Sequence, residues 1–150
     1  MNKTPRDYKT LQSDLLMGKK NEKKLLAYLN NLPENENKQY QVFKNCYSTF
    51  DFINEDIVAE LKSRRNRCNL YHDTMVGNNK MKVCDPSHNA NTGAKYVFYF
   101  LFTDGLFRWD YGDSNYQVRP FFHKDKQYWE DYAYIPTASL RLVCPLMNSY

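Results

Sequence analysis

The sequence predicts an α+β (α/β) fold: a mixed β-sheet of about five to seven strands with one long N-terminal helix packed on it. Three observations carry this. A helical rhythm runs from Leu15 to Leu32, β-prone runs recur from Tyr40 onward, and polar turns with hairpin chemistry separate them. At 150 residues the chain is long enough for one domain with a real core. Its aromatic content, 13 Tyr, 9 Phe and 2 Trp, excludes a disordered segment.

The elements follow in order. Residues 1–12 read as a polar lead-in, and Ser13-Asp14 as an N-terminal cap. Leu15, Gly18, Leu25, Leu29 and Leu32 then mark the inward stripe of the helix. Glu22 falls on that stripe, where a carboxylate is costly unless paired. Its head either reaches solvent or meets a partner on the sheet, and Gly18 would let the helix approach closely. Pro33 to Asn37 breaks the helix, and Tyr40 to Asn45 is a short strand. Tyr47 to Arg67 reads as two strands joined by a tight turn at Asn54-Glu55-Asp56. From Asn66 to Gly93 no period persists, and Thr74 to Lys80 is one strand or helical turn, or a loop near the site. Tyr96 to Phe102 is a continuous β-prone run, as in a strand covered on both faces. Asp104-Gly105 turns it into Leu106–Asp110. Asn115 to Phe122, interrupted by Pro120, reads as an edge strand, and Ser139 to Val143 is the last strand.

The chemistry concentrates on the Tyr47–Arg67 hairpin. Side chains alternate faces along a strand, so Glu60 and Lys62 point the same way, roughly 7 Å apart. Pairing around Asn54-Glu55 brings Asp51 of the first strand to that face. Two carboxylates beside an ammonium are the makings of a divalent-cation site with a positive group next to it.

An Asp on one strand followed by Glu-x-Lys on the next resembles the PD-(D/E)XK nuclease superfamily. Phe50 stands where that motif often has Pro. The resemblance covers roughly Leu15 to Arg67. It implies a restriction-endonuclease-like fold and DNA phosphodiester hydrolysis, in recombination, repair, restriction or junction resolution. Asp51, Glu60 and the backbone carbonyl of Leu61 would hold Mg²⁺ (or Mn²⁺), and Lys62 would orient the attacking water or polarise the phosphate. Glu22, as a first-helix Glu, would hold a metal-bound water or a second ion. Superfamily members usually place a helix after the Glu-x-Lys strand, and no convincing one is legible here. The small size and the Asn, Lys and Tyr bias are similar to nuclease-like proteins of large double-stranded DNA viruses. The alternatives are an inactive nucleic-acid-binding protein of the same fold and an unrelated α/β interaction protein.

Lys and Arg exceed Asp and Glu by 21 to 17, which fits a polyanionic partner such as DNA. Arg64, Arg65 and Arg67 follow the motif and would grip the backbone without reading sequence. Lys80 is a further candidate phosphate contact, with a solvated surface lysine as the plainer reading. Tyr128, Trp129, Tyr132 and Tyr134 could stack on unpaired bases, but packing a core or an edge is the commoner use of such a cluster.

Other signals lead nowhere. Cys46, Cys68, Cys84 and Cys144 contain no C-x-x-C pair, and Cys84 with His88 completes no zinc set. Asp104 and Asp110 are explained by turn and strand-end chemistry. No glycine-rich phosphate loop occurs, and no nucleophile motif accompanies the histidines. With no secretory signal and no apolar run long enough to span a bilayer, the expectation is a soluble intracellular protein with reduced thiols. A homodimer is an open expectation.

Overall fold

Helix α1 (Tyr8–Asn30) is the first described element and lies on a six-stranded mixed sheet. A computed structural model describes residues 8–43, 50–87 and 93–145, with the side chains of α1 described from Gln12 onward. The end of the strand expected at Tyr40–Asn45, the Tyr47–Thr49 start of the hairpin, Cys46 and His88 lie outside the described residues.

The central sheet has the order β1 (Gln41–Val42), β2 (Phe52–Ile53), β3 (Ile57–Ser63), β5 (Lys95–Phe102), β6 (Gly105–Asp110), β9 (Arg141–Cys144). All neighbours are antiparallel except β3 and β5, which run parallel with Ala59 beside Val97 and Leu61 beside Tyr99. A parallel pair needs a crossover. Here that crossover holds β4 (Asp73–Gly77) and helix α2 (Asn78–Cys84). A second, three-stranded antiparallel sheet has the order β4, β8 (Tyr128–Pro136), β7 (Gln117–His123). The fold is α+β, as the sequence predicts, but the strands divide into two sheets. The division was not legible because β4 is a five-residue strand running directly into a helix.

Alternation along β3 and β5 fills a core on each side. Ala59, Leu61, Val97, Tyr99 and Leu101 pack with Leu25 and Leu29 of α1. Val58, Phe98 and Phe100 pack with Met81 and Cys84 of α2 and with Val76, Ala133 and Ile135 of the second sheet. The Lys95–Phe102 strand is therefore covered on both faces, as its unbroken apolar run requires. The segment from Asn115 also behaves as read: β7 is an edge strand, the position that tolerates Pro120.

Three local expectations change. Helix α1 begins by Tyr8, so Ser13 and Asp14 are interior positions rather than caps, and both bond Arg65. Leu15 is 60% exposed, so the inward stripe is Leu25 and Leu29. A Cβ at Gly18 would meet nothing within 4 Å, so this glycine serves no close helix–sheet approach.

Candidate active site at the rim of the central sheet

Asp51 sits at a bend just before β2. The β2–β3 register pairs Phe52 with Ala59, so one further step sets Asp51 opposite Glu60. The turn between the strands is held by Asn54, whose Oδ1 accepts the amides of Asp56 and Ile57. The Asp51 amide still donates to the Ala59 carbonyl, as in a ladder. Beyond it the pairing passes to a side chain, for the Leu61 amide donates to Asp51 Oδ2 at 2.9 Å. The carboxylate thus occupies the place of a strand and is pinned at the rim of β3.

Glu60 and Lys62 share the β3 face that carries Val58, as the period-2 reading requires. Glu60 is only 4% exposed. Lys80 Nζ, from α2, donates to its Oε2 at 2.8 Å, and Lys62 Nζ lies 3.7 Å from Oε1. Lys80 is therefore not a solvated surface lysine but the direct partner of the buried carboxylate. Its sequence offered no signal, because the contact depends on how α2 docks. Glu22 approaches from the helix side of the sheet, near enough for the Asp51 carboxylate to raise its carboxyl. A core-stripe glutamate thereby finds its partner at the rim.

The electrostatics are those of crowded carboxyls. Burial, then Asp51, pushes the Glu60 carboxyl up to about 7 against the pull of Lys62 and Lys80. Burial, then Asp51, also raises Glu22. Burial lowers the Lys62 ammonium, opposed by Glu60 and assisted by Lys80 and Arg64.

Hard carboxylate oxygens have the donor chemistry of a Mg²⁺ site. Among the described residues, however, no three His, Cys, Asp or Glu side chains are arranged around one point. Mg²⁺ needs only one or two carboxylates, because it keeps several waters. Asp51, Glu60 and the Leu61 carbonyl fit that smaller requirement in kind.

The basic residues after β3 separate. The Arg64 guanidinium is half-buried and donates to the Met75 carbonyl and to Thr74 Oγ1, tying β3 to β4. It is a structural link, and its place in the sequence did not reveal that. Arg65 is exposed and pairs with Asp14 at 2.7 Å. Arg67 is exposed, with no side-chain partner among the described residues. Asp104 accepts the Cys68 amide, and Asp110 is enclosed by Lys95, Arg108 and Arg141, so neither belongs to the site. Cys84 is a buried free thiol pushed up to about 12 by that burial, which suits packing.

The aromatic cluster does not pack the core. Of the stretch from Tyr128 to Ile135, Ala133 and Ile135 are the residues that enter the core. Tyr128 and Trp129 are exposed, and Tyr132 and Tyr134 are half-buried. Tyr132 lines a cavity of about 580 Å³ that also includes Lys62 and Arg64.

The chain matches no known protein-family model and no curated protein. No described helix is long and apolar enough to cross a membrane.

Proposed function

We propose that the protein is a metal-dependent nuclease that hydrolyses DNA phosphodiester bonds. The observation that carries this reading is one cluster drawn from three elements: Glu22 of α1, Asp51 before β2, and Glu60 and Lys62 of β3. The order of elements supports it too. A helix, two short strands and then the Glu-x-Lys strand is the order of the PD-(D/E)XK superfamily, and the short helix α2 comes only after β4 has intervened.

Mg²⁺ or Mn²⁺ held by Asp51, Glu60 and the Leu61 carbonyl would supply a water of lowered pKa and a positive charge beside the scissile phosphate. Lys62, with its ammonium destabilised by burial, orients that water or donates to a phosphate oxygen. Glu22 accepts a hydrogen bond from water on the helix side. Lys80 holds the far oxygen of Glu60 and so fixes the rotamer of that carboxylate. Arg65 and Arg67, at the end of β3, meet the DNA backbone.

One observation favours a second reading, a catalytically inactive DNA-binding protein of the same fold. Lys62 and Lys80 already compensate Glu60 without any cation. Cleavage of labelled single-stranded, duplex and branched DNA with Mg²⁺ or Mn²⁺, beside an EDTA control, separates the two. The nuclease requires metal-dependent cutting that falls about a hundred-fold or more in Lys62→Ala while binding survives. Salt-sensitive binding without cutting of any substrate selects the inactive binder.

A further inference from the structure

We propose that the outer face of the second sheet is a stacking platform that delivers unpaired nucleotides to the Lys62 cavity. The inference rests on the nuclease reading for the destination of the strand, and names single-stranded DNA as the substrate class.

Alternation along β8 sends Ala133 and Ile135 into the core and Tyr128, Glu130, Tyr132 and Tyr134 to the opposite face. The β7 register places His123 opposite Tyr128, Phe121 opposite Glu130, and Arg119 opposite Tyr132. The rings form one connected group. His123 lies 5.1 Å from Tyr128 and 5.6 Å from Tyr132, and Phe121 lies 5.8 Å from Tyr132, all between centroids. Polar bonds lock the group from within, since His123 Nε2 meets Glu130 Oε2 at 2.8 Å and the Tyr132 hydroxyl at 3.1 Å. Ring faces nonetheless stay accessible: Tyr128 is 43% and Phe121 42% exposed.

Two features say what covers this face. The first is charge. Arg119 stacks 3.8 Å above the Tyr134 ring, Lys126 stands 6.0 Å above Tyr128, and Lys62 lines the adjoining cavity. The carboxylates of the face are engaged, Glu130 by His123 and Tyr132, and Asp73 by Arg119 at 3.0 Å. Cations beside aromatic faces suit a polyanion that carries flat rings.

The second feature is continuity with the candidate site. Tyr132 and Lys62 line the same cavity, and its volume of about 580 Å³ falls in the range of roughly 300–1,000 Å³ typical of small-ligand pockets. Gly77, the cross-strand partner of Tyr132, puts no side chain between the tyrosine and that cavity. From Tyr132 to Tyr128 the track runs about 13 Å along β8. Bases can stack on such rings only when unstacked from a duplex, so the platform selects single strands.

Binding of a short labelled oligothymidylate, read by fluorescence anisotropy in EDTA, tests the platform apart from cleavage. Tyr128→Ala and Phe121→Ala are each expected to weaken binding about ten-fold, and Tyr128→Phe to stay within about two-fold of wild type. Blunt duplex binding should respond to neither alanine variant. Both side chains are exposed, so unchanged thermal midpoints will show that the variants fold. Equal oligothymidylate binding by wild type and both alanine variants overturns the platform, as does duplex binding that is equally tight and equally sensitive. Cleavage in Mg²⁺ reports the rim site separately. Ring-dependent binding without cleavage keeps the platform and removes the nuclease, and cleavage without ring-dependent binding does the reverse.

Discussion

Glu60 shows how a single residue can carry a stability cost for its site. Burial, then Asp51, raises its carboxyl to about 7, well above the ordinary carboxylate range. A raised folded-state pKa means that the stability due to the group is fully present below its unfolded pKa near 4.3 and is lost as pH rises through about 7. Removing the charge should therefore help the protein on the alkaline side. In EDTA, Glu60→Gln is expected to exceed wild type by about 1–3 kcal/mol at pH 8, and to lose most of that advantage by pH 5, in urea unfolding. On the proposed nuclease reading, the same variant should not cleave DNA. A difference between the two proteins that stays constant across that range would refute a titrating Glu60. The sequence made Glu60, Lys62 and Asp51 legible because strand alternation and hairpin register are short-range rules. Lys80 was not legible, because nothing local ties the third residue of α2 to β3.

Two predictions belong to the elements. Gly18 sits inside α1 with open space where its Cβ would be, so Gly18→Ala carries the helix-propensity gain without a clash. It is expected to stabilise the protein by about 0.5–1 kcal/mol, a rise of a few degrees in the unfolding midpoint. A fall would mean that the helix needs the glycine after all. Arg64 joins β3 to β4 through charged hydrogen bonds in a half-buried setting. Arg64→Ala should lower stability by about 1.5–3 kcal/mol. A DNA-gripping arginine would instead leave unfolding unchanged and weaken binding alone. The helix itself was legible from its leucines, but its start was not. Ser13 and Asp14 have the chemistry of caps, and only the fold shows that Arg65 occupies them.

At the scale of the molecule, the central sheet followed from sequence because its strands are long and apolar, or joined by recognisable turns such as Asp104-Gly105. The second sheet did not, because β8 shows core residues only at Ala133 and Ile135 and otherwise reads as a scatter of tyrosines and charges. What fastens the far end of the central sheet is Asp110 on β6, met by Lys95 of β5 at 2.7 Å, by Arg108 of its own strand, and by Arg141 of β9 at 3.1 Å. Burial alone would push this carboxyl up. The hydrogen bonds of Arg108 and Lys95 override it and hold the group down at about 2. A depressed folded-state pKa places the stabilisation above the unfolded value near 3.9 and removes it as pH falls toward 2. Wild type should thus lose about 2 kcal/mol to this one group between pH 4 and pH 2. Asp110→Asn should be less stable than wild type by about that amount at pH 7, since three cations then face a neutral amide, and the two proteins should converge near pH 2. Chemical unfolding across that range decides it: parallel curves would mean that Asp110 does not fasten β5, β6 and β9 together.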